Sequence, residues 1–541
     1  MPASGWASNG LLCISRGSVI SATSYLSRER PAARIFERRK LSMNNIFHPK
    51  AHFNNIYEIT PNYLKYKGIS CVILDIDNTL VPYSVRTPDN KLAGWIADLV
   101  GSGIKIAVVS NARVLRADEF VKSIKLPESE ALDIITVGKA KKPFAGGFKI
   151  VEEKSGLSRD KMCIIGDQIF TDVLGGNLSG VFSIWVTPME NKEPAFVRFK
   201  RIFEKPVIFG YNRKFKHKGQ KNVGLLGLIG HPVGHSISPL IQNTLNEAAG
   251  YNFYYDKFDV APENLERDFN DLKNKGFKGL NVTVPYKEDV MKYLDVIDEE
   301  AAKAGAVNTV VFKNNKAYGY NTDINGFAMS VQDGGRPNRF EDAKVLILGA
   351  GGGARGVALA CLKNGAKQID FTNRTFSKAK ELAEMFNGDG RFKCEPCPHL
   401  KLFAHAAGDG VYKRGSGGLR PELTAHISCE AVPADENFSK KFKEYDIIIN
   451  TTSAGMKPQE DMLPVETGFE FRKGQLCYDI IYNPEKTLLL QKAEREGADI
   501  MNGRGMLFWQ GLESFNIWAA ASDCKELTKE QINKVKDMLN I

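Results

Sequence analysis

No apolar run in these 541 residues approaches the roughly 20 residues that a membrane-crossing helix requires, so no spanning helix is expected. Cysteine is sparse. Nine in a chain of this length make no disulfide framework. Cys71, Cys163 and Cys361 fall in strand-like or helical apolar runs, the setting of buried thiols in a reducing compartment, and a cytoplasmic protein is expected. A basic domain face is also missing, although the formal net charge is +10. Residues 1–42 hold seven basic residues against Glu29 and Glu37, and residues 190–221 hold ten against Glu190, Glu193 and Glu204. The excess therefore sits in a tail and a connecting segment, with the rest of the chain close to neutral, and a nucleic-acid partner is not expected. A solvated tail and linker account for it; an anionic membrane surface is the sharper alternative.

What is present is a soluble composition, 43% hydrophobic and 25% charged, in a chain too long for one core. The organising stretch is Lys344 to Gly356, KVLILGAGGGARG. Val345 to Leu348 reads as a buried strand that enters a glycine turn (Gly349, Gly351, Gly352, Gly353), with a helix starting near Ala354. A β-carbon in such a turn would hold a pyrophosphate away from the backbone amides, and the helix start offers unpaired N–H groups to phosphate. The first 42 residues are rich in Ser, Arg and Ala with little periodicity. They are compatible with an organelle transit peptide, but a disordered extension with Met43 as the functional start is the expected reading.

Between 43 and about 190, three short apolar strands end in polar groups. Cys71 to Leu74 runs into Asp75-Ile76-Asp77, whose carboxylates at i and i+2 share one side of an extended chain. One can attack phosphorus while the other handles the leaving-group proton. Ile104 to Val109 ends in Ser110-Asn111, which can hold phosphate oxygens, and Lys142 can neutralise a transferring phosphoryl group. Met162 to Ile165 ends in Gly166-Asp167, with Asp172 five residues on; Asp75 and Asp167 would share Mg²⁺. In this order the pieces resemble the four motifs of the haloacid dehalogenase (HAD) phosphatase superfamily, and GDQIFTDVLGGN with DIDNTLVPY is similar to its YqeG-type branch, subfamily IIIA. The resemblance implies Asp75 as nucleophile, Asp77 as general acid/base, Ser110, Asn111 and Lys142 around the phosphate, and Mg²⁺ held by Asp75, Asp167 and the backbone carbonyl of Asp77. Short intervals between motifs leave little room for a cap domain, which suits a bulky phosphomonoester. Some relatives act on phosphatidylglycerophosphate. The basic segment at 191–222, in which Val197 to Phe203 suggests an amphipathic turn or two, would fit weak contact with a membrane surface.

From 223 to about 325, Leu225 to Gly230 reads as a strand leading to Ser236 and Ser238, two hydroxyls that face one way in extended chain. Pro239 suits the first turn of a helix running to about Ala249. Phe277 to Val284 is expected to be a further strand, with Asn281, Thr283 and Lys287 as one polar group; Asn308 and Asp323 follow, Asp323 also serving as a possible cap for a helix near Asn325. GHPVGHSISP, GLNVTVPYK, AVNTVV, YNTDINGF, GAGGGARG, FTNRT, INTTSAGM, YDIIYNP and GRGMLFWQG, in that order over about 223–530, resemble shikimate dehydrogenase. That family reduces 3-dehydroshikimate with NADPH. The resemblance implies Lys287 as acid/base held by Asp323, with Ser236 and Ser238 on the substrate carboxylate. It places Asn281, Thr283, Asn308, Tyr482 and Gln510 around the ring hydroxyls.

Cofactor choice turns on the second strand of the nucleotide fold, Gln368 to Thr372. An acid about 20 residues after the glycines reads a ribose hydroxyl, whereas Arg accommodates a 2′-phosphate. Asp370 is near that spacing but inside the strand; Asn373, Arg374 and Thr375 follow it, so NADP is expected. The resemblance adds Ala350, Lys378, Ile480 and Gly503 to the cofactor site. Residues from about Cys394 to Glu430 look inserted. Cys394, Cys397, His426 and Cys429 could hold Zn²⁺, but a glycine-rich surface loop is the expected reading.

The expected architecture is α/β: a HAD-like Rossmannoid unit at 43–190, a basic linker at 191–222, a substrate-binding unit from 223–325 plus 505–541, and an NADP-binding Rossmann unit at 326–504. The alternatives are a quinate/shikimate dehydrogenase, and an amino-terminal unit that senses phosphate or docks without catalysing.

Overall fold

The computed structural model describes residues 46–111, 114–124, 134–190, 193–216, 222–333, 337–388, 429–435, 437–465 and 468–541. The expected extension at 1–42 and nearly all of the 394–430 insertion, with Cys394, Cys397 and His426, lie outside them; Cys429 is buried.

Three sheets carry the chain. The first has β1 (Ala51–Phe53), β2 (Cys71–Leu74), β3 (Lys105–Val109), β4 (Ile135–Val137), β5 (Met162–Gly166) and β6 (Phe182–Val186) in the order β1-β6-β5-β2-β3-β4. All its pairings are parallel, and β2 and β5 are buried along their whole length, as a sheet covered on both faces demands. Helix α1 (Pro61–Tyr66) precedes β2, and α2 (Ala195–Lys216) follows β6. The segment around 197–203 thus belongs to a helix of 22 residues rather than a turn or two.

The second sheet orders β10 (Val296–Ile297), β12 (Lys316–Tyr320), β11 (Thr309–Lys313), β9 (Gly279–Val282), β7 (Gly224–Gly230) and β8 (Phe253–Asp259), and mixes parallel with antiparallel pairs. Helix α3 (Ser238–Ala249) links β7 to β8, with Pro239 in its first turn. Helix α4 (Asp323–Gln332) leads into the third sheet, which is all parallel: β14 (Gln368–Thr372), β13 (Lys344–Leu348), β15 (Ile447–Asn450), β16 (Leu476–Asp479), β17 (Asp499–Met501). Strand β13 is followed by α5 (Gly352–Lys363), and β14 by α6 (Phe376–Gly388).

The last long helix, α7 (Arg504–Ala521), returns to the second sheet. Phe508, Phe515 and Trp518 share a core with Leu226, Tyr255 and Ile241, and the Trp518 indole donates to the Val310 carbonyl at 2.9 Å. A second core crosses from the first sheet to the second. Phe53, Tyr63 and Leu64 pack in one cluster with Leu225 and Tyr254, and the Tyr63 and Tyr254 rings meet edge to face at 5.2 Å. Helix α1 thereby covers β8, the edge strand of the second sheet. Asn62 donates to Asp256 at 3.2 Å, Tyr66 to Glu247, and the Val223 amide to the His52 carbonyl at 2.7 Å.

Candidate active sites

Sheet order locates two crevices. In the third sheet β13 has β14 on one side and β15 on the other, so successive crossovers leave it in opposite directions and open a gap beyond its carboxyl end. β2 stands the same way between β3 and β5 in the first sheet.

Beyond β13 lies the glycine turn. Gly349 has φ 119°, a conformation for which glycine is needed, and a β-carbon there would stand 2.5 Å from the Thr451 hydroxyl. Gly351 caps α5 with open space where its β-carbon would be, leaving the approach to the helix start clear. Ala350 continues the turn, Gly352 and Gly353 open α5, and a β-carbon on Gly353 would stand 3.7 Å from the Ile480 side chain. Gly503 packs on the Ile480 carbonyl so closely that no side chain fits. Past β14, Arg374, Thr375 and Lys378 are exposed, and Asn373 donates to the Thr375 carbonyl at 3.0 Å. Asp370 is fully buried. Its carboxylate accepts from the Tyr445 hydroxyl at 2.6 Å, Gln368 at 2.7 Å and the Glu430 amide at 3.0 Å, and burial pushes its carboxyl up. It is a structural acid whose oxygens are taken up inside the fold.

Across from α5, Lys287 Nζ lies 2.7 Å from Asp323 Oδ2, both partly exposed. Asp323 opens α4 and Lys287 follows β9, so two elements fix the pair. Arg355 of α5 reaches Glu288 at 3.3 Å and ties the glycine turn to the chain beside Lys287. Ser236 and Ser238 sit at the start of α3, their hydroxyls 3.1 Å apart. Thr283 and Tyr482 are partly exposed.

Asn281 and Asn308 are buried, and their bonds explain why. Asn281 Nδ2 faces the Asn308 carbonyl, Thr309 and Ser514 at 3.0 to 3.1 Å, while its oxygen accepts from Tyr255 at 2.8 Å. Asn308 accepts from the Thr322 amide at 2.8 Å and donates towards Gln510 at 3.5 Å. Tyr255, Thr309, Thr322 and Ser514 thus form a polar network beneath the site that sequence reading missed. Ser514 had a signal, one helical turn from Gln510 on α7. Glu513, next to it, accepts from Asn325 at 2.8 Å, and burial pushes its carboxyl up to about 8.

Beyond β2, Asp75 and Lys142 meet at 2.5 Å, and Lys142 also meets Asp172 at 2.6 Å, all three buried. Asn111 accepts from the Lys142 amide at 2.7 Å, and Ser110 is buried at the end of β3. Carboxylate oxygens of Asp75, Asp167 and Asp172 lie within 4.8 Å of one another. Asp172, noted in the sequence without a ligand role, therefore joins the pair expected to share Mg²⁺. A β-carbon at Gly166 would collide with it at 2.3 Å, so the glycine lets it in. Asp77 is partly exposed and outside that trio. Burial pushes Asp75 up to about 8 and Asp167 to about 7, with the neighbouring carboxylates adding to the rise against Lys142 and Arg201. Three buried carboxylates form an all-oxygen donor set that suits a hard divalent cation.

One cation here had no forecast role. Arg201 of α2 pairs with the Asp167 carboxylate, donates to the Asp167 carbonyl at 2.7 Å, and pairs with Glu193 at 2.7 Å and Glu204 at 2.9 Å. Thr79 and the Trp185 indole complete the hold on Asp167, at 3.1 and 2.9 Å.

Comparison with known proteins matches both crevices. Residues 228–310 match the family model for the shikimate dehydrogenase substrate binding domain, and residues 334–405 that for shikimate / quinate 5-dehydrogenase. The shikimate dehydrogenase (NADP(+)) of Caldanaerobacter subterraneus is 40% identical over 308 residues, 57% of this chain and 96% of that protein. The chain belongs to the shikimate dehydrogenase family. The enzyme of that name from Moorella thermoacetica is 39% identical over 299 residues, 55% of this chain and 88% of its own. A crystal structure of a shikimate dehydrogenase with NADP⁺ aligns with TM-score 0.45 at 35% identity, over 58% of this chain and 96% of its own. Ahead of the dehydrogenase part, residues 33–189 match the model described as mitochondrial PGP phosphatase, so a phosphatase-family segment is fused to it.

Proposed function

We propose that the carboxyl-terminal part is an NADP-dependent shikimate dehydrogenase: 3-dehydroshikimate, NADPH and a proton give shikimate and NADP⁺. The observation that carries this is the 2.7 Å Lys287–Asp323 pair, beside a chain segment tied by Arg355 to the helix after the glycine turn, in a stretch of 308 residues 40% identical to a protein of that name. Bound NADPH supplies the hydride. Lys287 gives a proton to the carbonyl oxygen as the hydride reaches carbon, and Asp323 holds the ammonium in place. Ser236 and Ser238 take the substrate carboxylate. Thr283, Tyr482 and Gln510 orient the ring, and Asn281 and Asn308 hold the walls through their buried network. The cofactor site is Gly349, Ala350, Gly351, Gly352, Gly353, Asn373, Arg374, Thr375, Lys378, Ile480 and Gly503. Arg374 stands where a 2′-phosphate would lie, and Asp370 is occupied elsewhere, which favours NADP. Among the described residues six cysteines are free, five of them buried, which suits a reducing compartment, and we place the protein in the cytoplasm.

The amino-terminal unit, residues 43–190 in this reading, is a phosphomonoesterase. Asp75 attacks phosphorus as Asp77 protonates the leaving oxygen, and water, deprotonated by Asp77, then cleaves the aspartyl-phosphate to release inorganic phosphate and free Asp75. Ser110, Asn111 and Lys142 hold the phosphoryl oxygens. Asp75, Asp167 and the Asp77 carbonyl would hold Mg²⁺, with Asp172 within reach, and the ion would neutralise phosphoryl charge. The basic segment 191–222 makes a weak membrane-surface contact. One experiment tests both halves. NADPH oxidation by 3-dehydroshikimate is expected to fall by roughly a hundredfold or more in Lys287→Ala and to be untouched by Asp75→Asn, which should abolish Mg²⁺-dependent phosphate release. Undiminished oxidation in Lys287→Ala, or phosphate release surviving Asp75→Asn, rejects the corresponding half.

A further inference from the structure

Helix α2 has two faces with different chemistry. Its inner face is committed. Arg201 holds Asp167 and Glu193, and Glu204, buried, accepts from the Phe170 amide at 3.1 Å. Tyr211 is buried beside Trp185 and His52. Its outer face is bare. Phe196, Phe199, Ile202, Phe203 and Phe209 are each more than half exposed, from 57 to 68%. Their positions, i, i+3, i+6, i+7 and i+13, fall on one side of a helix. Arg198, Lys205 and Arg213 are exposed around this stripe, and Lys200 lies over the Phe196 ring at 4.6 Å. From Ala195 to Lys216 the sole acid is Glu204, which points inward. The exposed surface of the helix is thus aromatic and cationic with no acid to balance it.

From this arrangement we infer that α2 docks on an anionic lipid bilayer through Phe196, Phe199, Ile202, Phe203 and Phe209, with Arg198, Lys205 and Arg213 meeting the headgroups. The inference deepens the weak membrane contact proposed above. The chemistry favours a bilayer: an exposed stripe of aromatic and aliphatic side chains flanked by cations, with no outward-facing acid between Ala195 and Lys216, describes a helix lying in the headgroup layer of an anionic surface. No helix among the described residues is long and apolar enough to cross a membrane, so the contact is peripheral. Its consequence is positional. The helix that touches the surface also grips Asp167, so docking seats the phosphatase carboxylates beside the bilayer, where a lipid phosphomonoester would present its headgroup.

The test is co-sedimentation of the full chain with vesicles of phosphatidylcholine alone or mixed with phosphatidylglycerol. Neither lipid is a phosphomonoester, so the result does not depend on the phosphatase reading; Asp75→Asn is expected to bind as the native chain does. Binding is expected to the mixed vesicles and not the neutral ones, and to weaken as salt is raised. The double variant Arg198→Glu/Lys205→Glu should bind roughly thirtyfold more weakly, and Phe199→Ser/Phe203→Ser should lose binding. NADPH oxidation should be unchanged in both, showing that they fold. Absence of binding to the mixed vesicles, or binding unaffected by these variants, overturns the inference. So does a concentration-dependent dimer that Phe199→Ser/Phe203→Ser abolishes without vesicle binding, which would give the face to a second copy of the chain.

Discussion

Asp370 and Arg374 are four residues apart and have opposite surroundings. The acid that could have read a ribose hydroxyl spends its oxygens on Tyr445, Gln368 and the Glu430 amide, whereas Arg374 is exposed past the strand end. Sequence position already favoured Arg374, because Asp370 falls inside the strand. What the sequence did not show is the partner that occupies the acid, Tyr445, 75 residues away. Arg374→Ala is expected to raise KM for NADPH by roughly tenfold to a hundredfold, the worth of a lost charge-assisted contact, and to leave that for NADH nearly unchanged; steady-state kinetics with both cofactors checks it. Glu513 carries a second prediction. Its carboxyl, at about 8 in the folded chain against an ordinary 4.5, binds a proton on folding. Stability should therefore be full below the ordinary value and fall as pH rises towards 8, because the folded state must give up that proton or keep it at growing cost. Glu513→Gln should flatten the fall, as thermal melts between pH 5 and pH 8 would show.

At the scale of elements, most strands that end in chemistry were legible because they are short apolar runs stopped by glycine or acid: β2, β5, β7 and β13 fall within a residue or two of their expected limits, as does β14, which gives way instead to Asn373. Helix α2 was not. Pro206 interrupts its middle, and its aromatic stripe reads as scattered when the buried partners of Arg201 and Glu204 are unknown. The same limit hid the place of Asp172 in the carboxylate trio and the Thr309–Ser514 network, whose members come together only through tertiary packing. One contact between helices is tight enough to predict from. A β-carbon on Gly326 of α4 would stand 2.7 Å from the Gln510 backbone nitrogen on α7, and backbone cannot move aside cheaply. Gly326→Val should push these helices apart, displace Asp323 and Gln510 together, and cost about 1–3 kcal/mol of stability; a lower Tm with a depressed kcat/KM for shikimate is the expected result.

For the whole molecule, the succession of a phosphatase-type segment and a dehydrogenase could be read from the motifs, but not how the two are joined. They share a core: Tyr63 of α1 is buried against Tyr254 of β8, across what the sequence presents as a boundary. Tyr63→Ser should cost about 3–5 kcal/mol and shift the heat inactivation of both activities downward together, where independent units would respond separately. The covered edge of β8 has a consequence for how the chain can be divided. If a protease site were engineered into residues 217–221 and cut, the two pieces would still travel as one particle, held by the Tyr63–Tyr254 cluster and the Val223–His52 bond rather than by the peptide that was severed. Expressed from separate genes, they would have to find each other, each with half of a common interior open to water.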